Sequence, residues 1–561
     1  MSWKQLFATK SLETLQAEVK GDHRLRRALG PVALTASGVG AIIGSGIFVM
    51  TGQVAAQDAG PAVVLSFVVA GIGCLFAALC YAEFAALAPV AGSAYTYAYT
   101  TLGELFAWII GWNLVLEYAM ACACVASSWE KYLNELLLTS FGTQLPSFLS
   151  NDPFSHPGAW FNLPALLITL VVTAILVRGI RESATTNSIL VGVKLGVVLF
   201  VIFAGLAFIN RNNWIAIPVQ ETPTQSTERL GILGALGLGS WLKPLDDSVR
   251  SSFIPYGLSG IIFGAAMVFF AYIGFDAVST QAEEARQPQR DVPLAILASL
   301  ILCTILYICV AAVITGMVPY PDIDTKAAVA AAFRQKSELV QGSMLKGLLR
   351  GASGIISLGA IAGMTSVLLI SFLGQVRIFL AMARDGLLPP SIFSTIHPRF
   401  KTPHRSTLLV GIGIALTAAL TPIHVLEKMV NIGTLMAFVM VCVAVMVLRV
   451  QRPHVERPFR TPMLFLFGPL GITVNLIMML FLPPQTWRAA LYWMAAGLVI
   501  YFGYGFRHSH IGKRLSGLMP AFAFSSPSSS LADKDSVPLA PDAPANLEPF
   551  GEVNPQVRAK E

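Results

Sequence analysis

The sequence predicts an all-α polytopic membrane protein with 12 transmembrane helices. Of its 561 residues, 55% are hydrophobic and only 12% are charged, which is too little polar surface for a soluble globule of this size. The apolar residues are also gathered into long segments, and a helix needs about 20 such residues to cross a bilayer. We expect twelve spans, at residues 31–53, 61–88, 94–128, 163–178, 187–209, 257–279, 293–317, 352–376, 406–422, 425–448, 463–482 and 488–506.

Two segments flank the twelve-span domain, to which we assign residues 28–510. In residues 1–27, basic residues alternate with apolar ones, which indicates either an amphipathic helix on the cytoplasmic membrane surface or a solvated helical tail. Residues 511–561 are rich in Pro, Ser, Ala and Asp. Such a composition cannot bury enough apolar surface to fold by itself, so we expect a cytoplasmic tail that is largely disordered.

An even number of spans predicts that both termini lie on one side of the membrane. Lys and Arg are more frequent in the segments on that side, which predicts that it is the cytoplasmic side of a plasma (inner) membrane. The net charge of +7 follows from this bias and gives no reason to expect a nucleic acid partner. All seven cysteines fall within predicted spans, where they behave as small hydrophobic residues. We therefore expect no disulfide, no metal site and no cofactor.

The first predicted span contains a run of glycines, Gly38-Val-Gly-Ala-Ile-Ile-Gly-Ser-Gly-Ile-Phe48. No ionisable side chain occurs from Ala28 to Gln57, yet each glycine costs a helix about 1 kcal/mol relative to alanine. A helix that breaks at membrane depth exposes backbone N–H and C=O groups, which are tolerated only where they face protein or a water-filled cavity. The run therefore indicates a binding site made of backbone, or else close packing between helices.

The sixth predicted span has a comparable interruption. Its sequence runs Phe269-Phe-Ala-Tyr-Ile-Gly-Phe-Asp276, with Gly274 and Asp276 where an uninterrupted helix would prefer neither. If both spans break at similar depth, the half-helix N-termini present N–H groups that bind a carboxylate. The carbonyls freed before each break would accept hydrogen bonds from an amine. Paired breaks in corresponding positions of two halves are typical of the substrate site of a secondary transporter.

The motifs of the chain resemble those of the amino acid-polyamine-organocation (APC) superfamily. Besides the glycine run, they include Tyr81-Ala-Glu-Phe84, Gly111-Trp-Asn-Leu-Val-Leu-Glu-Tyr118 and the segments 276–293 and 377–389. The basic leader is similar to that of the cationic amino acid transporter branch. The resemblance implies the leucine-transporter fold, in which spans 1–5 are repeated in inverted orientation as spans 6–10 and two further spans follow.

The resemblance also implies the residues of a substrate site. Backbone amides in the unwound part of the first span would bind the substrate carboxylate, and the site residues there are Ile43, Gly44, Ser45 and Gly46. Backbone carbonyls would hold the α-amino group, and they belong to Ile42, Phe270, Ala271 and Ile273. A gate would be formed by Tyr272, Phe275 and Asp276, although packing is the simpler role for either aromatic side chain alone.

Two isolated charges within the spans are candidates for proton coupling. Lys194 lies about 10 Å into the fifth span at 1.5 Å per residue, and Glu117 lies in the middle of the third. Intramembrane charges are costly and by default functional. The structural alternative for Lys194 is a side chain that reaches back to the membrane surface. Glu117 could equally be a protonated structural acid or the partner of a distant polar group. The resemblance implies that a lysine in the fifth span takes the place of the sodium ion of sodium-coupled relatives.

These observations predict a secondary active transporter of L-amino acids that works by alternating access and proton symport. Its partners would be the amino acid, the proton and membrane lipid. An amino acid uniporter or exchanger, or a non-transporting sensor, would keep the same site. An intramembrane serine protease is the enzyme alternative, because Gly257-Leu-Ser-Gly260 and Gly351-Ala-Ser-Gly354 match a short protease pattern, but neither has an obvious buried histidine as its base. The sequence leaves open a small membrane-protein subunit, the oligomeric state, and whether the substrate is cationic or neutral.

Overall fold

Each of the twelve predicted spans corresponds to a helix, or to a pair of helix segments, in the computed structural model. The structure describes residues 3–10, 29–87, 93–179, 184–215, 217, 230–400 and 402–516. Within these ranges the regular structure is helical and there is no β-strand, so the prediction of an all-α fold is confirmed. The predictions for residues 11–27 and 517–561, which concern the amphipathic segment and the tail, lie outside the described residues.

Ten spans are formed by a single main helix, and spans 1 and 6 are each divided. The bounds of spans 1–6 are Pro31–Ile42 with 46–59, Val63–Leu87, Glu104–Phe141, Leu163–Arg178, Ala184–Leu206, and Gly257–Val268 with Phe269–Tyr272 and Ala277–Thr280. The bounds of spans 7–12 are Pro288–Met317, Ser343–Arg384, His404–Leu420, Ile423–Gln451, Leu464–Leu480 and Pro484–His508. Two further helices, Gly239–Val249 and Ala328–Leu339, lie in the long connections that follow spans 5 and 7.

Length and composition agree with a membrane-spanning bundle. Among the described residues, eight helices are long and apolar enough to cross a membrane, and four more apolar helices are shorter. Residues 46–87 form one long helical run, but Gly60 interrupts this run with a backbone φ of +63°. Glycine adopts this conformation without the strain that a side chain would bring. The run is therefore the second half of span 1 followed by span 2.

The third predicted span begins too early in the sequence. Residues 94–101 belong to a separate helix, Ser93–Thr101, and span 3 itself is the helix Glu104–Phe141. Between them Gly103 has a φ of +102°, and a Cβ at this position would lie 2.7 Å from the backbone of Phe7. The aromatic residues of 93–101 made this segment resemble the start of a span, so the composition did not reveal the turn at Gly103, which requires a glycine.

Equivalent spans of the two halves pack against each other. Span 2 packs along span 7, span 3 along span 8 and span 4 along span 9, while the interrupted regions of spans 1 and 6 touch. Because four spans lie between the members of each pair, the second half enters the bundle from the opposite end. This packing is that of the 5+5 inverted repeat, and spans 11 and 12 lie beside it against spans 10, 2 and 3.

The N- and C-terminal segments lie on the same face of the bundle. Gln5 Nε2 donates to the Phe506 carbonyl over 2.8 Å, and Lys10 Nζ lies 3.2 Å from Asp385 Oδ1. We call the face that carries residues 3–10 and 506–516 the terminal face, and the other end of the bundle the opposite face. Span 1 runs from the terminal face to the opposite face, and span 6 runs the other way.

A buried ion-pair cluster fixes spans 2 and 10 near the terminal face. Glu83 of span 2 is 1% exposed and pairs with Arg449, while Arg457 Nε lies 3.2 Å from its Oε1. The backbone N–H of Thr461 also donates to Glu83 Oε2 over 2.8 Å. One carboxylate thus compensates two guanidinium groups, so its removal would leave both poorly paired in a region of low dielectric constant.

Replacing Glu83 should destabilise the whole bundle. Removing one partner of a buried ion pair typically costs about 3–5 kcal/mol, so we expect Glu83→Gln to lower the thermal unfolding temperature of the detergent-solubilised protein clearly. Glu456→Gln, at an exposed position of the loop that carries Arg457, is the matched control and should leave that temperature unchanged. Equal unfolding temperatures for the two variants would contradict the proposed role of Glu83.

Candidate functional site

The interrupted regions of spans 1 and 6 meet inside the bundle. The first half of span 1 ends at Ile43, whose ψ of 100° is extended, and helical structure resumes at Ser45 to Gly46. Span 6 is interrupted after Tyr272, where Gly274 has a φ of +119°. A Cβ at Gly46 would overlap the backbone of Ala271. The absence of a side chain at position 46 therefore allows the interrupted segments of spans 1 and 6 to touch.

Tyr307 of span 7 connects both interruptions. Its hydroxyl lies 3.0 Å from the Ile42 carbonyl oxygen and 2.7 Å from that of Ala271. Its ring packs against Phe67 and Tyr272. A hydroxyl has one proton, so it donates to one carbonyl at a time. Tyr307 thus holds one carbonyl near the end of each half-helix in place. Sequence analysis missed it because a tyrosine in an apolar span gives no local signal.

The broken ends supply backbone donors and acceptors. Gly44, Ser45 and Gly46 begin the second half of span 1, and the first N–H groups of a helix have no acceptor within it. Ser45 is 1% exposed, and its hydroxyl has no hydrogen-bond partner among the described residues. The arrangement can bind an anion through amides.

Three of the carbonyls predicted to hold an amine already accept hydrogen bonds from the protein. Those of Ile42 and Ala271 accept from Tyr307, and that of Phe270 accepts from the Ile273 N–H over 3.3 Å. Each carbonyl oxygen has two lone pairs, so an ammonium group could share these acceptors with the protein. The assignment of these carbonyls to a substrate amine stays a prediction.

The three predicted gate residues are buried in packing contacts, with Tyr272 before the break in span 6 and Phe275 and Asp276 after it. The Tyr272 hydroxyl donates to the Phe67 carbonyl over 2.7 Å, and Phe275 packs against Tyr81 and Phe438. Asp276 accepts a hydrogen bond of 2.9 Å from the Tyr118 hydroxyl. The contacts favour packing roles for the two aromatic rings, and any gate function stays a prediction.

Glu117 belongs to the same polar cluster as Asp276. It is 1% exposed and adjoins Tyr118, the hydrogen-bond partner of Asp276. Span 10 packs against it, since a Cβ at Gly433 would lie 3.9 Å from the Glu117 Cβ. In the part of the chain that the structure describes, Oε2 of Glu117 has no hydrogen-bond partner. Glu117 therefore shares a buried environment with a second carboxyl group, directly beneath the break in span 6.

Lys194 points into the bundle rather than towards a membrane surface. It is 1% exposed, and its Nζ donates to the Gly40 carbonyl over 2.6 Å. A Cβ at Gly363 of span 8 would lie 3.3 Å from the Lys194 side chain. The lysine thus links span 5 to span 1 one turn before the break, and it packs on span 8. This position contradicts the alternative in which the side chain reaches back to the membrane surface.

Span 10 contributes a polar row that sequence analysis also missed. Glu427, Asn431 and Thr434 are fully buried and follow the i, i+4, i+7 spacing of one helix face. Asn431 Nδ2 donates to the Met267 carbonyl of span 6 over 3.3 Å, and Gln53 Nε2 of span 1 lies 3.3 Å from Glu427 Oε2. The helical spacing of three polar residues in an apolar span was the signal that could have revealed this face.

Comparisons with known proteins agree with the geometry. The family described as "Amino acid permease" matches residues 29–503. The chain is 41% identical to the methylthioribose transporter of Bacillus subtilis over 91% of its length and 99% of the relative. It is also 41% identical to the branched-chain amino acid permease BcaP of the same organism, again over 91% and 99% of the two chains. Cationic amino acid transporter 4, vacuolar, of Arabidopsis thaliana is 38% identical over 77% of this chain and 65% of the relative.

Adding one methyl group at two different glycines should have opposite effects. Gly46→Ala places a Cβ on the backbone of Ala271, and overpacking of this kind typically costs about 1–3 kcal/mol. In Gly413→Ala no heavy atom of the described residues lies within 4 Å of the new Cβ, and alanine favours a helix by up to about 1 kcal/mol. Thermal unfolding in detergent should therefore fall for Gly46→Ala and stay equal or rise for Gly413→Ala. A rise for both would contradict the contact between the two breaks.

Proposed function

Because the chain belongs to the amino acid permease family of the APC superfamily, in its cationic amino acid transporter branch, we propose that it moves L-amino acids across the plasma membrane by proton-coupled alternating access. The family is one of transporters, so the protein is a multi-pass membrane transporter and not an enzyme, and the protease alternative is set aside. The observation that carries the finer proposal is the meeting of the two interrupted spans at Gly46 and Ala271.

The substrate would bind between the two interruptions through its backbone ends. Amides of Gly44, Ser45 and Gly46 would hold the α-carboxylate at the start of a helix, where the helix dipole also favours a negative charge. Carbonyls before each break, with Tyr307 beside them, would accept from the α-amino group. These groups recognise the part that all amino acids share, so they leave the choice of side chain to other residues.

Lys194 is the proposed proton-binding group. A charge-assisted hydrogen bond is roughly twice as strong as a neutral one, so loss of the proton from Lys194 would weaken its link to the Gly40 carbonyl. That link connects span 5 to the first half of span 1 next to the break. Protonation could therefore bias the position of this half-helix, which is what coupling requires. Glu117 and Asp276 would form a second titratable cluster beneath span 6.

The proposed location is a plasma membrane with the terminal face in the cytoplasm. It is supported by the excess of Lys and Arg in the segments of that face. Uniport, exchange and a non-transporting sensor remain the alternatives to symport. The relative that is a methylthioribose transporter adds a second substrate candidate. A thiosugar has neither an α-amino group nor a carboxylate, and it would leave the proposed amide and carbonyl groups without their charged partners.

Transport by the purified protein in liposomes tests the proposal. With an inward proton gradient we expect uptake of at least one L-amino acid above its equilibrium level, abolished by a protonophore, and no concentrative uptake of methylthioribose. Gradient-independent equilibration would instead identify a uniporter or exchanger. Binding without any flux would identify a sensor, and concentrative uptake of methylthioribose alone would replace the proposed substrate class.

Neutralising Lys194 should separate binding from coupling. Lys194→Met keeps a long apolar stem but cannot bind a proton, so we expect proton-driven accumulation to be lost while substrate-induced thermal stabilisation persists. Lys346→Met, at an exposed position near the start of span 8, is the control and should accumulate substrate like the unmodified protein. Accumulation by Lys194→Met, or loss of binding with intact coupling, would rule out the proposed role.

A further inference from the structure

Glu427 is a buried carboxylate with only one of its two oxygens in a hydrogen bond. The residue is 0% exposed and lies one turn into span 10 from the opposite face. Its Oε2 accepts from Gln53 Nε2 of span 1 over 3.3 Å. Its Oε1 is fully buried, and no donor among the described residues reaches it. Neither the substrate site nor the coupling groups described above use this oxygen.

The carboxylate faces the same interior as the break in span 1. The Cys124 thiol of span 3 lies close to the hydroxyls of Ser45 and Ser128, and it is near enough to Glu427 for the two side chains to interact electrostatically. One turn further along span 10, Asn431 donates to the Met267 carbonyl of span 6. Span 10 therefore contacts span 1 through Glu427 and span 6 through Asn431.

Several acceptors in this region lack donors. Considering the described residues only, no hydrogen-bond partner exists for Glu427 Oε1, Asn431 Oδ1 or the hydroxyl oxygens of Ser45 and Ser128. Buried polar atoms in proteins are almost always paired, and a buried group without a partner is destabilising. The unpaired oxygens of Glu427 and Asn431, one turn apart on the same helix, point to a donor that a ligand brings.

The surrounding charges do not satisfy the carboxylate directly. Lys131, Lys428 and Asp58 interact with Glu427 electrostatically, but no ion pair within 4.0 Å joins it to any cation in the described ranges. Two of these three neighbours are positive, and the Gln53 amide orients one oxygen. The other oxygen is left to accept a further hydrogen bond.

We propose that Glu427, oriented by Gln53 and accompanied by Ser128, forms the subsite that recognises the substrate side chain. It would select side chains that end in a hydrogen-bond donor, either a hydroxyl or a cationic nitrogen. The inference rests on the proposed function, because it places the α-amino and α-carboxylate groups at the adjoining breaks. A site built to hydrogen-bond a substrate group rejects analogues that lack it, since its own polar atoms are then left unpaired.

Binding of three matched amino acids tests the subsite. L-Norvaline, L-homoserine and L-ornithine have unbranched side chains of similar length that end in a methyl, a hydroxyl and an ammonium group. Apparent affinities from ligand-induced thermal stabilisation of the full-length protein would be compared for the unmodified protein, Glu427→Leu and Glu427→Gln. Lys346→Gln, at an exposed position near the start of span 8, is the control.

We expect homoserine or ornithine to bind at least tenfold more tightly than norvaline, and Glu427→Leu to abolish or reverse this preference. Glu427→Gln should keep a preference for the hydroxyl but lose one for the ammonium group, which identifies the donor. Lys346→Gln should keep the preference of the unmodified protein. Since only ratios between ligands are compared, a general loss of stability in a variant does not imitate the expected result.

Two results would overturn the proposed subsite, and both can be distinguished from a failure of the proposed transport function. Equal binding of all three amino acids by the unmodified protein, or an unchanged preference in Glu427→Leu, would exclude Glu427 as a side-chain subsite while leaving amino acid transport intact. Stabilisation by no amino acid at all would remove both the subsite and the proposed function.

Discussion

The architecture depends on the cost of unpaired backbone groups at membrane depth. Spans 1 and 6 stop being helical inside the bundle, and hydrocarbon offers no partners for the N–H and C=O groups that are released. The two interruptions solve this problem together. They touch at Gly46 and Ala271, and the Tyr307 hydroxyl lies within hydrogen-bonding distance of the Ile42 and Ala271 carbonyls. The inverted repeat brings equivalent segments of the two halves to the same depth, so one geometric arrangement protects both breaks and also creates a polar site.

Three buried polar side chains surround this pair of breaks from different directions. Lys194 approaches from span 5 and bonds to Gly40 before the break, whereas Glu117 lies beside the Asp276 cluster beneath span 6. Glu427 approaches from span 10 on the side of the opposite face. Lys194 and Glu427 bond to the helical parts of span 1 on either side of its break, at Gly40 and Gln53. Movement of either half-helix would therefore change the environment of these groups, which gives the proposed coupling and selectivity a common physical origin.

The sequence predicted what depends on local composition. Apolar length located the twelve spans, and the glycine run with Gly274 located both interruptions, because glycine is costly in a helix. What it could not predict depends on contacts between distant segments. Tyr307 lies 265 positions from Ile42 in the chain, Lys194 lies 154 from Gly40, and Gln53 lies 374 from Glu427. The early start assigned to span 3 is a different kind of error, because Gly103 makes a turn within a segment whose composition still resembles a span.

The central claim is that two interrupted helices recognise an amino acid through both of its charged backbone ends. The most direct measurement is calorimetric titration of the purified protein with an L-amino acid that it binds, with the amide of that acid, and with its des-amino acid. Charge-assisted hydrogen bonds contribute about 1.5–3 kcal/mol each, so the account predicts a loss of affinity on the order of a hundredfold for either analogue. Equal affinity for an analogue that lacks the carboxylate or the amine would contradict it.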